Sequence, residues 1–190
     1  MSKRPLTFAD LLSPARLRLR VFGRDEQGAT LIEFGLLAIP FFALVGAILE
    51  TAVVFLAGQF LESAVQDSSR LIVTGQAQTA ATPLTADDFR DKICAGLYGM
   101  FDCSKLMIKV SVINTFAAAQ ANSEPPLDPD DPSKWTLAPE YDPGNRSDVV
   151  MVQAYYKWPI MLNFSGLNLA TQSDGTRLLS AVRVFRNEPF

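Results

Sequence analysis

A single carboxylate, Glu33, stands just inside a long apolar run, five positions after Gly28 in the stretch GATLIEF. Hydrated at a membrane boundary, such a group does little. Beside a cation in an apolar medium, it becomes half of an ion pair that is costly to leave unmade. Cutting the chain after Gly28 would supply the cation, because Ala29 would then carry a free ammonium group. Positions 29 and 33 are four apart, so on a helix they share a face. The carboxylate can then pair with its own terminus or with that of a neighbouring copy. The same cut strips away the charges that precede the run.

Other chemistry is poorly provided for. The chain of 190 residues contains no histidine, which excludes Ser-His-Asp and Cys-His catalysis and removes the commonest metal ligand. Carboxylate, lysine or tyrosine chemistry remains open, but no constellation supports it, and an enzyme is the less favoured class. Cys94 and Cys103 are nine positions apart, too wide for a redox CxxC pair, and two thiols alone make a poor zinc site. They fit a disulfide closing a short loop if this part of the chain is exported, and two reduced thiols if it is not. Asp128, Asp130 and Asp131 are hard ligands of the kind calcium takes, but Pro129 and Pro132 interrupt them. No glycine turn or distal bidentate glutamate completes an EF-hand, so a solvated loop is expected and no metal site. The net charge of −3 is too small to suggest nucleic-acid binding, and nothing points to a cofactor.

The elements that must position Glu33 are legible. Residues 1–28 carry Lys3, Arg4, Arg16, Arg18, Arg20 and Arg24 against Asp10, Asp25 and Glu26. Leu6 to Phe22 within that tail reads either as a loose amphipathic segment at a membrane surface or as disorder. From Phe34 to Leu49 no residue is charged, and the apolar character runs on toward Leu61. That covers the roughly 20 residues a bilayer-crossing helix needs. Basic residues precede the span, which places the N-terminus in the cytoplasm and the remainder across the membrane. A cleaved secretory signal fits badly, since the core is too long, contains Pro40 and has no clean small-x-small site.

Glu50 follows Glu33 by 17 residues, roughly 25 Å along a helix and about 100° around it. It falls near the outer edge of the bilayer. Ala43, Gly46, Ala47, Glu50, Ala57 and Gly58 lie close to one face, the kind of small-residue stripe that close helix–helix contact in lipid uses. Glycine and alanine are also common in such helices generally, and Glu50 would then only snorkel to headgroups. Pro40 removes a backbone donor and is expected to bend the helix.

Beyond the membrane, FLESAVQDSSRLIVTG continues the helix, giving one element from about Thr30 to Thr74. In TADDFRDKICAGLYGMF, Thr85 caps a second helix whose Phe89, Ile93, Leu97 and Phe101 recur every four residues. KLMIKVSVINTF alternates, with Leu106, Ile108, Val110 and Val112 on one side. DVVMVQAYYKW and TRLLSAVRVFRN read as two more strands, and IMLNFSGLNLA as a short helix or a strand with a turn. Residues 121–148 form an acidic, proline-rich excursion expected to be mobile or extended. The expectation is an α+β fold: a long N-terminal transmembrane helix, then a small head with an antiparallel sheet and one packing helix.

The motifs taken together resemble a known family. Gly28 before ATLIEF is similar to the cleavage motif of type IV pilin precursors, in which glutamate is the fifth mature residue. GATLIEFGLLAIPFFALVGAILETAVVF resembles TadE-like proteins, minor pseudopilins of tight-adherence (Flp) pili, with Glu33, Pro40, Glu50 and ESAVQDSSR to Arg70 in the family's order. AVRVFRNEP is similar to the family's C-terminal strand. Phe34 in place of a tyrosine, and the large extra-membrane region, favour the minor class over the major pilins. The resemblance implies a leader at 1–28, removed by prepilin peptidase between Gly28 and Ala29. It also implies a transmembrane helix at 29–61 and a periplasmic head at 62–190, anchored in the inner membrane. Other pilins, the assembly machinery and the lipid bilayer are the implied partners, with Glu33 and Glu50 as charge-pairing groups, Pro40 as a kink and Ala43, Gly46 and Ala47 as packing positions. In the periplasm Cys94 and Cys103 are expected to pair, tying the second helix to the start of the first strand. The rival reading is an uncleaved, single-pass periplasmic scaffold or binding protein.

Overall fold

The structure is a computed structural model that describes residues 28–79, 81–121, 126–128, 131, 134–164 and 167–190. The basic tail, including the Leu6 to Phe22 stretch for which an amphipathic segment or disorder was expected, and Asp130 of the acidic run lie outside the described residues. Contacts divide the chain at Gly46 and Ala47 into two compact units.

Helix α1 (Ala29–Val73) runs for 45 residues, within a residue of the expected bounds. In the first unit its large side chains are exposed: Leu31, Ile32, Phe34, Leu36, Leu37, Ile39, Phe41, Phe42 and Leu44. Among the described residues no packing partner shields them, and the helix is long and apolar enough to cross a membrane. The mean burial of a soluble core helix is absent here, since none of the most apolar window is buried.

The second unit holds the remainder of α1 and the head. Val54, Ala57, Leu61, Ala64, Val65, Ser68 and Ile72 are buried at spacings of three and four, one stripe of the helix. Thr74 and Gly75 then turn the chain; Gly75 has φ +76, a left-handed backbone that ends a helix cheaply only without a Cβ. The Phe190 ring covers it, and a Cβ there would fall 2.2 Å from the ring. A four-residue turn of helix, α2 (Gln76–Thr79), leads to α3 (Ala86–Ala95). Thr85 caps α3 in a reciprocal box: its hydroxyl accepts from the Asp88 N–H, and the Asp88 carboxylate accepts from the Thr85 N–H at 2.9 Å. Phe89 and Ile93 of α3 are fully buried, and past its end Leu97 and Phe101 are buried too. The expected spacing of four therefore outlasts the helix itself.

Cys94 and Cys103 are disulfide-bonded, with Cα atoms 6.1 Å apart. The bridge joins the end of α3 to a 3-10 turn (Cys103–Lys105) at the start of β1 (Met107–Ile113). Closing so short a loop is worth roughly 2–3 kcal/mol by the chain-entropy estimate. A short helix, α4 (Phe116–Ala121), follows β1. Then come β2 (Glu140–Tyr141), β3 (Val149–Pro159), the hairpin of β4 (Asn163–Phe164) and β5 (Leu167–Asn168), and β6 (Thr176–Arg186).

The main sheet has the order β2-β1-β3-β6. The three long strands are antiparallel, as expected, but β2 pairs parallel to β1, so the sheet is mixed. That edge comes from the acidic segment, which is less free than its composition suggests: Leu127 is buried and bridges to Trp135, and Lys109 of β1 holds Glu140 at 3.3 Å. Central β3 is buried on both faces. Val150, Val152, Ala154 and Tyr156 join the core that α1 and α3 build. Val149 and Met151 face the other way, toward Ile113, Ala118, Ala119 and Val184. Val112, expected inward with Val110, is 38% exposed at the end of β1, beside Gly144. The ambiguous IMLNFSGLNLA segment contains the β4–β5 hairpin rather than a helix.

Candidate functional site

In the first unit, Gly28 is exposed and immediately precedes the first residue of α1, Ala29. The helix has no acidic residue in its first turn. Glu33 is exposed one turn further on and is the only carboxylate of α1 before Glu50. A positive terminus at Ala29 would sit at the positive end of the helix dipole, an unfavourable place for a cation. Glu33, on the same face at i+4, is the nearest compensation the helix itself offers.

Pro40 lies within α1, and the helix continues through it without a break. Lacking an N–H, it leaves the Leu36 carbonyl without its usual helical partner. Ala43 and Gly46 are half-buried, as is Ala47 at the start of the second unit.

Glu50 has partners within its own chain. One carboxylate oxygen accepts the Met161 N–H at 2.6 Å and the Leu162 N–H at 3.1 Å; the other accepts the Leu162 N–H at 3.2 Å. Charge-assisted bonds of this kind are about twice as strong as neutral ones. Ala57, expected with Glu50 on a stripe facing a neighbouring helix, is fully buried against the head of its own chain. From residue 54 onward the buried positions of the helix serve internal packing.

Further along, the Arg183 guanidinium of β6 bonds Glu62 and Gln66 of α1, each at 3.0 Å. At the far end of the helix the Val73 carbonyl accepts the Glu188 N–H. Asn187 is 2% exposed and donates to the Pro143 and Asn145 carbonyls. None of these long-range partners carries a local sequence signal. Glu50 and Met161 are 111 positions apart, and nothing in the sequence between them marks the two as neighbours.

Among the described residues of the head, the perturbed acids form no catalytic arrangement. The depressed carboxyls are held down by local hydrogen bonds: Asp88 by Thr85, Asp102 by Ser104 and Asp174 by Thr176. The Tyr141 and Tyr155 hydroxyls are pushed up, chiefly by burial. Asp131 is paired with Lys134 at 3.1 Å. Among the described residues, no group of three or more acids or cysteines is placed to hold a metal ion.

These features define a class: a protein with one N-terminal apolar helix able to cross a bilayer and a small, disulfide-bonded α+β head. Within that class, residues 28–70 match the family described as TadE-like protein. The match runs from the residue before α1 to the helix's last basic residue and takes in Gly28, Glu33, Pro40 and Glu50. It stops short of the C-terminal strand. No curated protein and no solved structure matches the chain. The TadE-like segment points to a protein associated with a Tad pilus.

Proposed function

We infer that the chain is a minor pseudopilin that takes part in assembling a tight-adherence (Flp) pilus. It is made as a precursor in the cytoplasmic membrane, with its N-terminus inside and its head in the periplasm. Prepilin peptidase cuts it between Gly28 and Ala29, and the mature protein acts by assembly rather than catalysis. Other pilins and the assembly machinery are its partners. One observation carries this reading: an exposed glycine directly precedes a TadE-like apolar helix whose fifth residue is its first acid. Removing the leader would take six basic residues from the cytoplasmic side and free the helix to leave the lipid. The new ammonium at Ala29 would then find Glu33 of its own or a neighbouring chain. The disulfide fits an oxidising periplasm.

Mass spectrometry of the protein recovered from its native membranes tests this directly. A mature terminus at Ala29 is expected, and Gly28→Ala should abolish it. Glu33→Gln should leave cleavage intact and impair incorporation into pili. Recovery of the chain with its leader attached would leave instead an uncleaved, membrane-anchored periplasmic scaffold.

A further inference from the structure

The bond between Glu50 and the segment after β3 places an irregular piece of backbone at the level of a residue that belongs to the apolar span. About 20 residues cross the hydrocarbon core, so a span starting at Phe34 ends near Val53. Glu50 lies inside that limit, within the last turn. Met161, whose N–H is 2.6 Å from its carboxylate, therefore lies at the edge of the lipid, and its side chain is 85% exposed. Val53, Phe55 and Leu56 of the same unit are exposed too.

Irregular backbone is tolerated at this depth only where its N–H groups are satisfied by protein. Glu50 satisfies two in succession, and in doing so offsets its own charge. The adjoining Ile160 N–H bonds the Gly175 carbonyl, so three consecutive donors are taken up. The charges nearby are also accounted for: Lys157 and Asp174 are paired at 3.4 Å, and Arg177 donates to the Leu169 carbonyl. Arg177 shares a groove with Phe55 and Gly58, one to two turns beyond Glu50, where phospholipid phosphates begin.

We propose that the Ile160–Leu162 segment is a membrane-seating tip: Glu50 latches it to α1, and Met161 inserts into the periplasmic leaflet of the phospholipid bilayer. This rests on α1 spanning the membrane and not on cleavage at Gly28. Glu50 is thereby a positioning residue that fixes the head on the lipid surface.

The test uses the full chain in vesicles of phosphatidylethanolamine and phosphatidylglycerol, with the native disulfide intact. Single cysteines at Leu44, Met161 and Ser63 carry an environment-sensitive fluorophore. Lipid-borne quenchers and aqueous iodide then report depth. The expected result is that the labels at 44 and 161 respond to lipid quenchers and are several-fold less quenched by iodide than the label at 63. In the background of Glu50→Ala, iodide quenching at 161 should rise several-fold, while Glu50→Gln, which keeps an acceptor oxygen, should restore much of the protection. A label at 161 that behaves like the one at 63, while 44 stays in lipid, overturns the tip and leaves the span standing. Iodide access at 44 as well overturns both. Protection at 161 from both quenchers, with cross-linking to a second copy, assigns the surface to a protein neighbour and also overturns the proposal.

Discussion

Residues 29–46 and residues 47–73 belong to one helix, yet they dispose of their apolar side chains in different ways. The first stretch exposes leucine, isoleucine and phenylalanine on every side. The second buries one stripe and turns Glu62, Gln66, Asp67 and Arg70 outward. Leaving a large apolar side chain in water forgoes about 1.5–3 kcal/mol. A helix that does so over nine residues is built for a different solvent; the second stretch still exposes Ile48, Leu49, Val53, Phe55 and Leu56 at its start, and only from Ala57 onward is it built for water with a core on one side. Helix continuity therefore says nothing about environment; the distribution of side chains around the axis does.

Substitutions can separate the two halves. The largest effect is expected from Phe89→Ala, which empties a fully buried site against the water-facing half of α1. Urea unfolding of the full chain in detergent should lose about 3–5 kcal/mol of head stability, with membrane retention unchanged. Next comes Leu44→Arg. A charge near the centre of the span costs roughly 2.5–3.5 kcal/mol of insertion. The carbonate-resistant membrane fraction should fall while the urea midpoint of the head stays put. Ser63→Arg, on the exposed side of the other half, should change neither.

The smallest effect is an acid sensitivity confined to the head. Asp88, Asp102 and Asp174 have carboxyls held below their usual range by hydrogen bonds. A group depressed on folding stabilises the folded state above its unfolded value and loses that contribution as pH falls through the folded one. The urea midpoint should hold above about pH 4 and decline below it. Thr85→Ala, which removes the partner of Asp88, should lower the plateau by about 1 kcal/mol and flatten part of the decline. Between Phe34 and Leu49 nothing titrates, so membrane retention should not follow this curve.

Much of the fold was legible because its signals are local. The uncharged run announced α1, Thr85 with Asp88 announced the cap of α3, and alternation announced the three long strands. The mixed edge was not, since two residues of strand within a proline-rich segment have no period to read. Of the candidate site, Gly28, Ala29 and Glu33 keep their sequence spacing on the helix. The stripe through Ala57 was read as a helix–helix contact face in lipid, whereas Ala57 packs into the core of its own chain, because small residues fit a neighbour's helix and a chain's own sheet equally well.

Composition and spacing alone determined that this chain has one lipid-compatible helix, an acid five residues past Gly28, and two cysteines close enough in sequence to close a short loop. Those properties depend on residues close in sequence, where helix geometry and hydropathy act directly. Only the tertiary structure decided what Glu50 holds and which side of α1 the head claims. Both depend on the sheet carrying residues 160–162 back across more than a hundred positions, a distance over which no local preference acts.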